Sequence, residues 1–239
     1  MADPPALRDR LRALTQARVA LGRSGHGLPT RALLDFQLDH ARARDAVHDV
    51  LTTEGFAAAL GRPVIEVHSR AHDRATYLQR PDLGRVLAPD SRIDATGDTL
   101  AIVVADGLSA TAIHAHAASV VTALVDRLAG WRIAPVVLAR QARVALGDEI
   151  GAALGVDLVV VLIGERPGLS APDSLGAYIT WQPRRGRRDS ERNCVSNIRP
   201  PHGLGYATAA AVIAGLLDRA RIAQITGVAL KGDATGRIA

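Results

Sequence analysis

The sequence predicts an α/β protein with an open, mostly parallel sheet and flanking helices, preceded by a helical amino-terminal region. From residue 98 onward, short β-branched runs alternate with helical stretches in the order βαβαβ, the pattern of a parallel sheet with crossover helices. Residues 159–163 are uniformly apolar, as expected of a strand covered on both faces. Before residue 98, arginine-rich stretches carry apolar residues at helical spacing.

The first region, residues 1–97, is predicted to be helical and to dock a partner protein. A short helix is expected around residues 6–14. Residues 29–50 are predicted to form an amphipathic helix, because one stripe recurs at spacings of three and four: Leu33, Phe36, His40, Ala43 and Val47. The many arginines of residues 4–81 exceed what a solvated face requires, and arginine is favoured at interfaces. Residues 89–97 are the expected boundary with the second region.

The second region, residues 98–239, is predicted to hold the sheet. Strands are expected at residues 100–105, 136–139 and 158–163, with a further strand at 178–181. Helices are expected at residues 109–128, 147–154 and 206–222, whereas the polar segment 192–199 is predicted to be a loop. These elements describe a Rossmann-like sheet.

Composition excludes several classes of protein. The chain has 239 residues, 48% of them hydrophobic and 3% aromatic, so its core must consist mostly of small aliphatic side chains. Cys194 is the single cysteine, which excludes an intramolecular disulfide. A secretory signal is not recognisable, and no run offers the roughly 20 continuous apolar residues of a spanning helix. We therefore expect a cytoplasmic protein that makes no contact with a membrane.

Three loops that follow the predicted strands are the candidate site, because ligands of open α/β sheets bind at the carboxyl ends of strands. They are residues 106–109, 140–144 and 164–169, and residues 192–199 could fold across the same edge. Each has a structural alternative. Asp106 and Ser109 suit a turn and a helix N-cap, Glu165 could pair with an arginine in solvent, and Cys194 could be an inert packed thiol.

Motifs for other chemistry are missing from the sequence. It has no Gly-Lys-Ser/Thr phosphate loop, no His-Glu-x-x-His and no cysteine pair, so we predict neither a catalytic residue nor a metal site in this chain. The net charge is +5, but acidic residues are interspersed among the arginines and aromatic residues for base stacking are few. A protein partner is therefore favoured over nucleic acid.

Several uncommon strings occur in order along nearly the whole chain. They begin at Thr15 (TQARVALGR), Leu28 (LPTRALLDFQ), Asp73 (DRATYLQRPDLG), Ala105 (ADGLSA), Ile163 (IGERPGLS) and Arg192 (RNCVSNIRP). With these strings the sequence closely resembles the small (light) subunit of ethanolamine ammonia-lyase, an adenosylcobalamin-dependent carbon–nitrogen lyase.

The resemblance implies that this subunit and a separate large subunit clasp the cobalamin between them. Radical conversion of ethanolamine to acetaldehyde and ammonia would take place in the large subunit's barrel, so activity would require the complex. The cobalamin-contacting positions of the family fall on Val144, Glu165 and Cys194. Asp-x-His-x-x-Gly, the cobalt-ligating motif of some other cobalamin proteins, is absent, which implies base-on binding.

Two other functions are kept as alternatives: a stand-alone nucleotide-binding oxidoreductase and an arginine-rich, non-enzymatic adaptor. The missing dinucleotide fingerprint counts against the first, and the polar loops at the strand ends count against the second. Family members often carry a longer amino-terminal leader that is implicated in entry into a bacterial microcompartment. The amino terminus of this sequence is short. The microcompartment therefore stays an alternative to the expected cytoplasmic location.

Overall fold

A six-stranded mixed sheet lies at the centre of the structure, a computed structural model that describes residues 4–230. The strands are β1 (Val64–His68), β2 (Leu100–Ala105), β3 (Val136–Arg140), β4 (Leu158–Gly164), β5 (Leu175–Trp181) and β6 (Arg192–Ile198). Their order across the sheet is β1-β3-β2-β4-β5-β6. The first four in this order are parallel, whereas β5 is antiparallel to both β4 and β6.

The predicted α/β class is therefore confirmed, but the expectation of a mostly parallel, Rossmann-like sheet is corrected to a mixed sheet. Two consecutive parallel strands need a crossover connection that returns the chain to the end of the sheet where the first strand began. This connection is usually a helix. Residues 165–174 and 182–191 contain no such crossover helix, so the chain turns back after β4 and again after β5.

Eight α-helical segments surround the sheet in the described part of the chain. They are α1 (Pro4–Leu14), α2 (Thr30–His48), α3 (Phe56–Leu60), α4 (Arg74–Gln79), α5 (Ala110–Ala112), α6 (Ala118–Val125), α7 (Leu146–Leu154) and α8 (Tyr206–Ala223). A π-helical turn, Ile113–Ala117, joins α5 to α6 within the stretch predicted as one helix. No helix between residues 4 and 230 is long and apolar enough to cross a membrane.

Two strands lie where the sequence predicted other structure. β1 occurs inside the region predicted to be helical and pairs with β3 through all five of its residues. β6 replaces the predicted loop at residues 192–199 and pairs with β5. Its polarity was misleading because it is an edge strand: Val195 and Ile198 are buried, whereas Cys194 and Ser196 are exposed.

The helices cover the two faces of the sheet unequally. One face packs against α5, α6 and α8 in a continuous core that includes residues of β5 and β6. The other face packs against α7 in a smaller core that ends at β4 and the half-buried Tyr178. Beyond that point Tyr178, Cys194 and Ser196 form what we call the open face, which no described helix covers.

The amphipathic helix α2 has its apolar stripe largely in solvent. Leu33 and Phe36 are 42% and 39% exposed, and the buried residue of this helix is Ala46, near its carboxyl end. The predicted helix is confirmed, but the described part of the chain covers its apolar side only in part, through Arg18, which lies 5.6 Å from the centroid of the Phe36 ring. Exposed apolar surface of this kind is a candidate interaction site.

Candidate functional site

A cleft of about 420 Å³ opens at the carboxyl ends of β2, β3 and β4. Each of the three predicted loops contributes to it: the first through Gly107 and Leu108, the second through Arg143 and Val144, and the third through Glu165 and Arg166. Tyr77 of α4, Ile163 of β4 and Tyr178 of β5 also line it. The expectation that these loops gather at one edge of the sheet is therefore confirmed.

Two glycines allow the first and third loops to touch through their backbones. Gly107 has a φ of +56°, and a Cβ atom there would lie 2.2 Å from the carbonyl oxygen of Gly164. A Cβ atom on Gly164 would lie 2.0 Å from the carbonyl oxygen of Ser109. The Leu108 N–H donates to the Gly164 carbonyl at 2.9 Å, which closes this contact. Any larger residue would have to spread the loops apart.

Asp106 and Ser109 have the structural roles that the sequence offered as alternatives. The fully buried Asp106 carboxylate accepts hydrogen bonds from the backbone N–H groups of Gln141 and Ala142, at 2.8 and 2.9 Å. Burial raises the pKa of Asp106, while these two hydrogen bonds act in the opposite direction. Ser109 caps α5 by accepting from the Ala112 N–H at 3.2 Å. Both residues hold loops in place.

Glu165 joins three strands through its carboxylate. The hydroxyl of Ser174, just before β5, donates to it at 2.5 Å, and so does the hydroxyl of Ser196 on β6. The Asn197 N–H donates at 3.3 Å. The alternative in which Glu165 pairs with an arginine in solvent is not observed within the described chain. A carboxylate accepts about four hydrogen bonds, so roughly one position stays available to a ligand.

A second polar network fixes the segment that follows Glu165. The buried His116 contacts the Tyr206 hydroxyl at 2.9 Å and the Asp173 carboxylate at 3.4 Å. Asp173 also accepts from Nε of Arg199 at 3.3 Å. Because Asp173 directly precedes Ser174, this network holds the hydroxyl that donates to Glu165.

Cys194 lies on the open face, opposite Tyr178 in the pairing of β6 with β5. Desolvation raises the pKa of its thiol, a hydrogen bond with Tyr178 opposes that shift, and the negative charge of Glu165 adds to it. Reactive cysteines require the opposite shift, so this thiol is not an activated nucleophile.

The structure brings the three predicted contact residues to one continuous surface. Val144 lies half-buried just before α7 and shares the cleft with Glu165. Cys194 does not line the cleft, but it adjoins Tyr178, which does. The cleft and the open face therefore meet at Tyr178.

Tyr77 was not among the residues that the sequence predicted for the site, and Arg143 was included only as part of the loop 140–144. Tyr77 is fully buried, and its hydroxyl donates to the Ala142 carbonyl at 3.0 Å. The Arg143 guanidinium lies over the Tyr77 ring, 4.3 Å from its centroid. No spacing rule connects these residues, since tertiary packing carries α4 to the loop after β3.

The fold and the cleft define an α/β protein with a candidate ligand site at the carboxyl ends of parallel strands. Comparison with protein families is more specific. Residues 6–231 match the family described as Ethanolamine ammonia-lyase light chain (EutC). The chain belongs to this family, which confirms the resemblance.

Individual relatives agree with this assignment. The chain is 57% identical to the ethanolamine ammonia-lyase small subunit of Rhodopseudomonas palustris (strain BisA53), over 95% of this chain and 90% of the relative. It is 56% identical to that of Bradyrhizobium diazoefficiens, over 99% and 96% of the two chains. With the small subunit of Pseudomonas putida it shares 52% identity, over 94% and 87%.

Proposed function

We propose that this chain is the adenosylcobalamin-holding small subunit of an ethanolamine ammonia-lyase, which converts ethanolamine to acetaldehyde and ammonia when joined to its large subunit. The observation that carries the proposal is the continuous surface formed by the strand-end cleft and the open face. Val144, Glu165 and Cys194 all lie on it. Family membership supports the same function.

The chemistry of this surface suits a corrinoid. The cofactor's many amide groups need both donors and acceptors, which Glu165, Tyr178 and Ser196 provide beside the apolar Val144. A cleft of about 420 Å³ is too small for a whole corrinoid. The remainder would extend over the open face towards the large subunit. Base-on binding belongs to the same proposal, because the sequence lacks Asp-x-His-x-x-Gly, the cobalt-ligating motif of some other cobalamin proteins.

The side chains available indicate which tasks belong to this chain and which to the cofactor. Adenosylcobalamin, when bound, supplies the radical chemistry. Glu165 accepts a hydrogen bond from the cofactor while remaining tied to Ser174 and Ser196, Val144 contributes packing, and Cys194 lies beside Tyr178 as a neutral contact. The chain binds and orients the cofactor and moves no proton.

Cofactor binding can be tested through alkylation of Cys194 by iodoacetamide, followed by mass spectrometry of the Cys194 peptide. At cofactor concentrations of about ten times Kd, mass action leaves about one site in eleven free. We therefore expect alkylation in the assembled complex to slow about tenfold on addition of adenosylcobalamin. The matched control is the same complex without cofactor. An unchanged rate at saturating cofactor would contradict the proposed contact, and protection by NADH would favour the oxidoreductase.

Docking of the large subunit is proposed for the amino-terminal region. The exposed stripe of α2 and the exposed leucines of α1 provide apolar surface, and α2 also carries exposed arginines, among them Arg31 and Arg42. Interfaces combine these two features, an apolar centre and arginine at its margin.

Replacing both Leu33 and Phe36 with Glu is expected to weaken association with the large subunit by at least about tenfold, the loss typical of a central apolar contact. Both side chains are exposed, so folding should be unaffected. Affinity can be measured by titrating labelled large subunit with each variant, with Gln37→Glu as the control on the same helix. Unchanged affinity of the double variant would place the docking surface elsewhere.

A further inference from the structure

The cleft carries an excess of positive charge that the contacts described above do not explain. Two of its lining residues are cationic, Arg143 and Arg166, and one is anionic, Glu165. The Glu165 carboxylate receives hydrogen bonds from two hydroxyls and a backbone N–H. Within residues 4–230 neither arginine has a carboxylate as a hydrogen-bonding partner.

Arg143 is held in a fixed orientation. Its guanidinium is stacked on Tyr77, its Nη2 donates to the Tyr77 carbonyl at 3.4 Å, and its backbone N–H donates to the Gly84 carbonyl at 2.8 Å. Its Nε is buried without a partner among the described residues, but Nη1 is not buried. One donor edge of a rigid guanidinium therefore remains available, and little side-chain entropy is lost when an acceptor binds there.

The neighbouring arginine of the stack has a different role. Arg74 also lies over the Tyr77 ring, at 4.9 Å, but it donates to the Gly107 carbonyl at 2.8 Å and lies 3.6 Å from Asp106. Its charge is balanced by the buried carboxylate. Arg143 thus supplies a cation at this wall of the cleft that no described carboxylate balances.

We propose that Arg143, assisted by Arg166, forms an anion subsite that binds the phosphodiester of the cofactor's nucleotide tail. The inference rests on the proposed function and extends it. The amide side chains of a corrinoid are neutral, whereas the phosphodiester carries a fixed negative charge. A guanidinium held flat presents paired donors to phosphate oxygens, so the subsite would orient the tail as well as attract it.

The test compares adenosylcobalamin with adenosylcobinamide, which lacks the nucleotide tail and its phosphodiester. Each is titrated into the complex of this chain with its large subunit, and Kd is read from the change in absorbance spectrum. Arg143→Met removes the charge but keeps an apolar stem to lie on Tyr77. We expect this variant to bind adenosylcobalamin about 10- to 100-fold more weakly, the effect of losing a charged hydrogen bond. Its affinity for adenosylcobinamide should be unchanged.

Two controls separate charge from packing. Arg143→Lys should recover part of the affinity for adenosylcobalamin, since it restores the charge without the paired donors. Arg127→Met, an exposed arginine after α6, should bind both compounds as the wild type does. Rising salt should weaken adenosylcobalamin binding to the wild type more than to Arg143→Met.

Several results would overturn the subsite. Equal losses for both compounds would show that Arg143 only supports the cleft, and no loss would place the phosphodiester elsewhere. If inorganic phosphate binds the wild-type complex without competing with adenosylcobalamin, the subsite serves free phosphate instead. Failure of the proposed function is distinguishable, because then the wild-type complex would bind neither corrinoid.

Discussion

Replacing Asp148 with Asn is expected to lower the free energy of unfolding by about 3–5 kcal/mol, because the buried Arg192 charge then has only the exposed Asp189 carboxylate as an ion-pair partner, at 3.5 Å. Arg192 donates to both Asp148 oxygens at 2.6 and 2.7 Å, and both side chains are 2% exposed. Burial disfavours the charged Arg192, but its hydrogen bonds and charge interactions with Asp148 and Asp189 act together in the opposite direction and raise the pKa of Arg192. In the variant the Arg192 guanidinium stays charged, because arginine does not deprotonate in proteins.

Urea denaturation of the isolated chain measures this effect. Asp218→Asn is the matched control, because Asp218 pairs with Arg221 in solvent at 3.4 Å, and such pairs contribute little. Adding Arg192→Met to Asp148→Asn should recover stability, since it removes the stranded charge. If Asp148→Asn is no less stable than Asp218→Asn, the ion pair does not hold α7 against β6.

Replacing Glu165 with Ala is expected to weaken adenosylcobalamin binding to the assembled complex by about 5- to 150-fold, the cost of unpaired donors at a partly buried site. The substitution also releases the hydroxyls of Ser174 and Ser196, which fix β6 beside the cleft. Glu165→Gln keeps an acceptor oxygen and nearly the same shape, so its loss should be smaller. Ser196→Ala removes one of these hydrogen bonds. Its affinity for adenosylcobalamin should lie between that of the wild type and that of Glu165→Ala.

Turnover separates positioning from chemistry at Glu165. At saturating cofactor, kcat of the Glu165→Ala complex should fall much less than its affinity for adenosylcobalamin. The two quantities are measured by spectral titration and by acetaldehyde formation on the same preparation. Unchanged affinity with abolished turnover would mean that Glu165 takes part in the chemistry.

The apolar strands were predictable because their residues are nearly all buried. The predicted bounds agree to within one residue with those of β2, β3 and β4. A continuous β-branched run between helical stretches is typical of a parallel strand buried on both faces. β1 was missed because five residues with a central Glu66 resemble a loop as much as a strand. β6 was missed because its open side carries polar residues, so its composition is that of a loop.

The site, like the fold, could be predicted only in part. The three loops followed from the rule for strand ends, and the structure gathers them into one cleft. Val144, Glu165 and Cys194 were named through the family resemblance, and their contact with cobalamin remains a prediction. Tyr77, and the stacking of Arg143 on its ring, could not be predicted, because this contact depends on how α4 packs against the loop after β3.

On the proposed function, this chain supplies a surface that holds the cofactor, and the enzyme is active only when this chain is joined to its large subunit. The most direct measurement is ethanolamine turnover with adenosylcobalamin by the chain alone, by the large subunit alone, and by the two mixed. We expect acetaldehyde and ammonia from the mixture and none from this chain alone. Turnover of ethanolamine by this chain by itself would contradict the account.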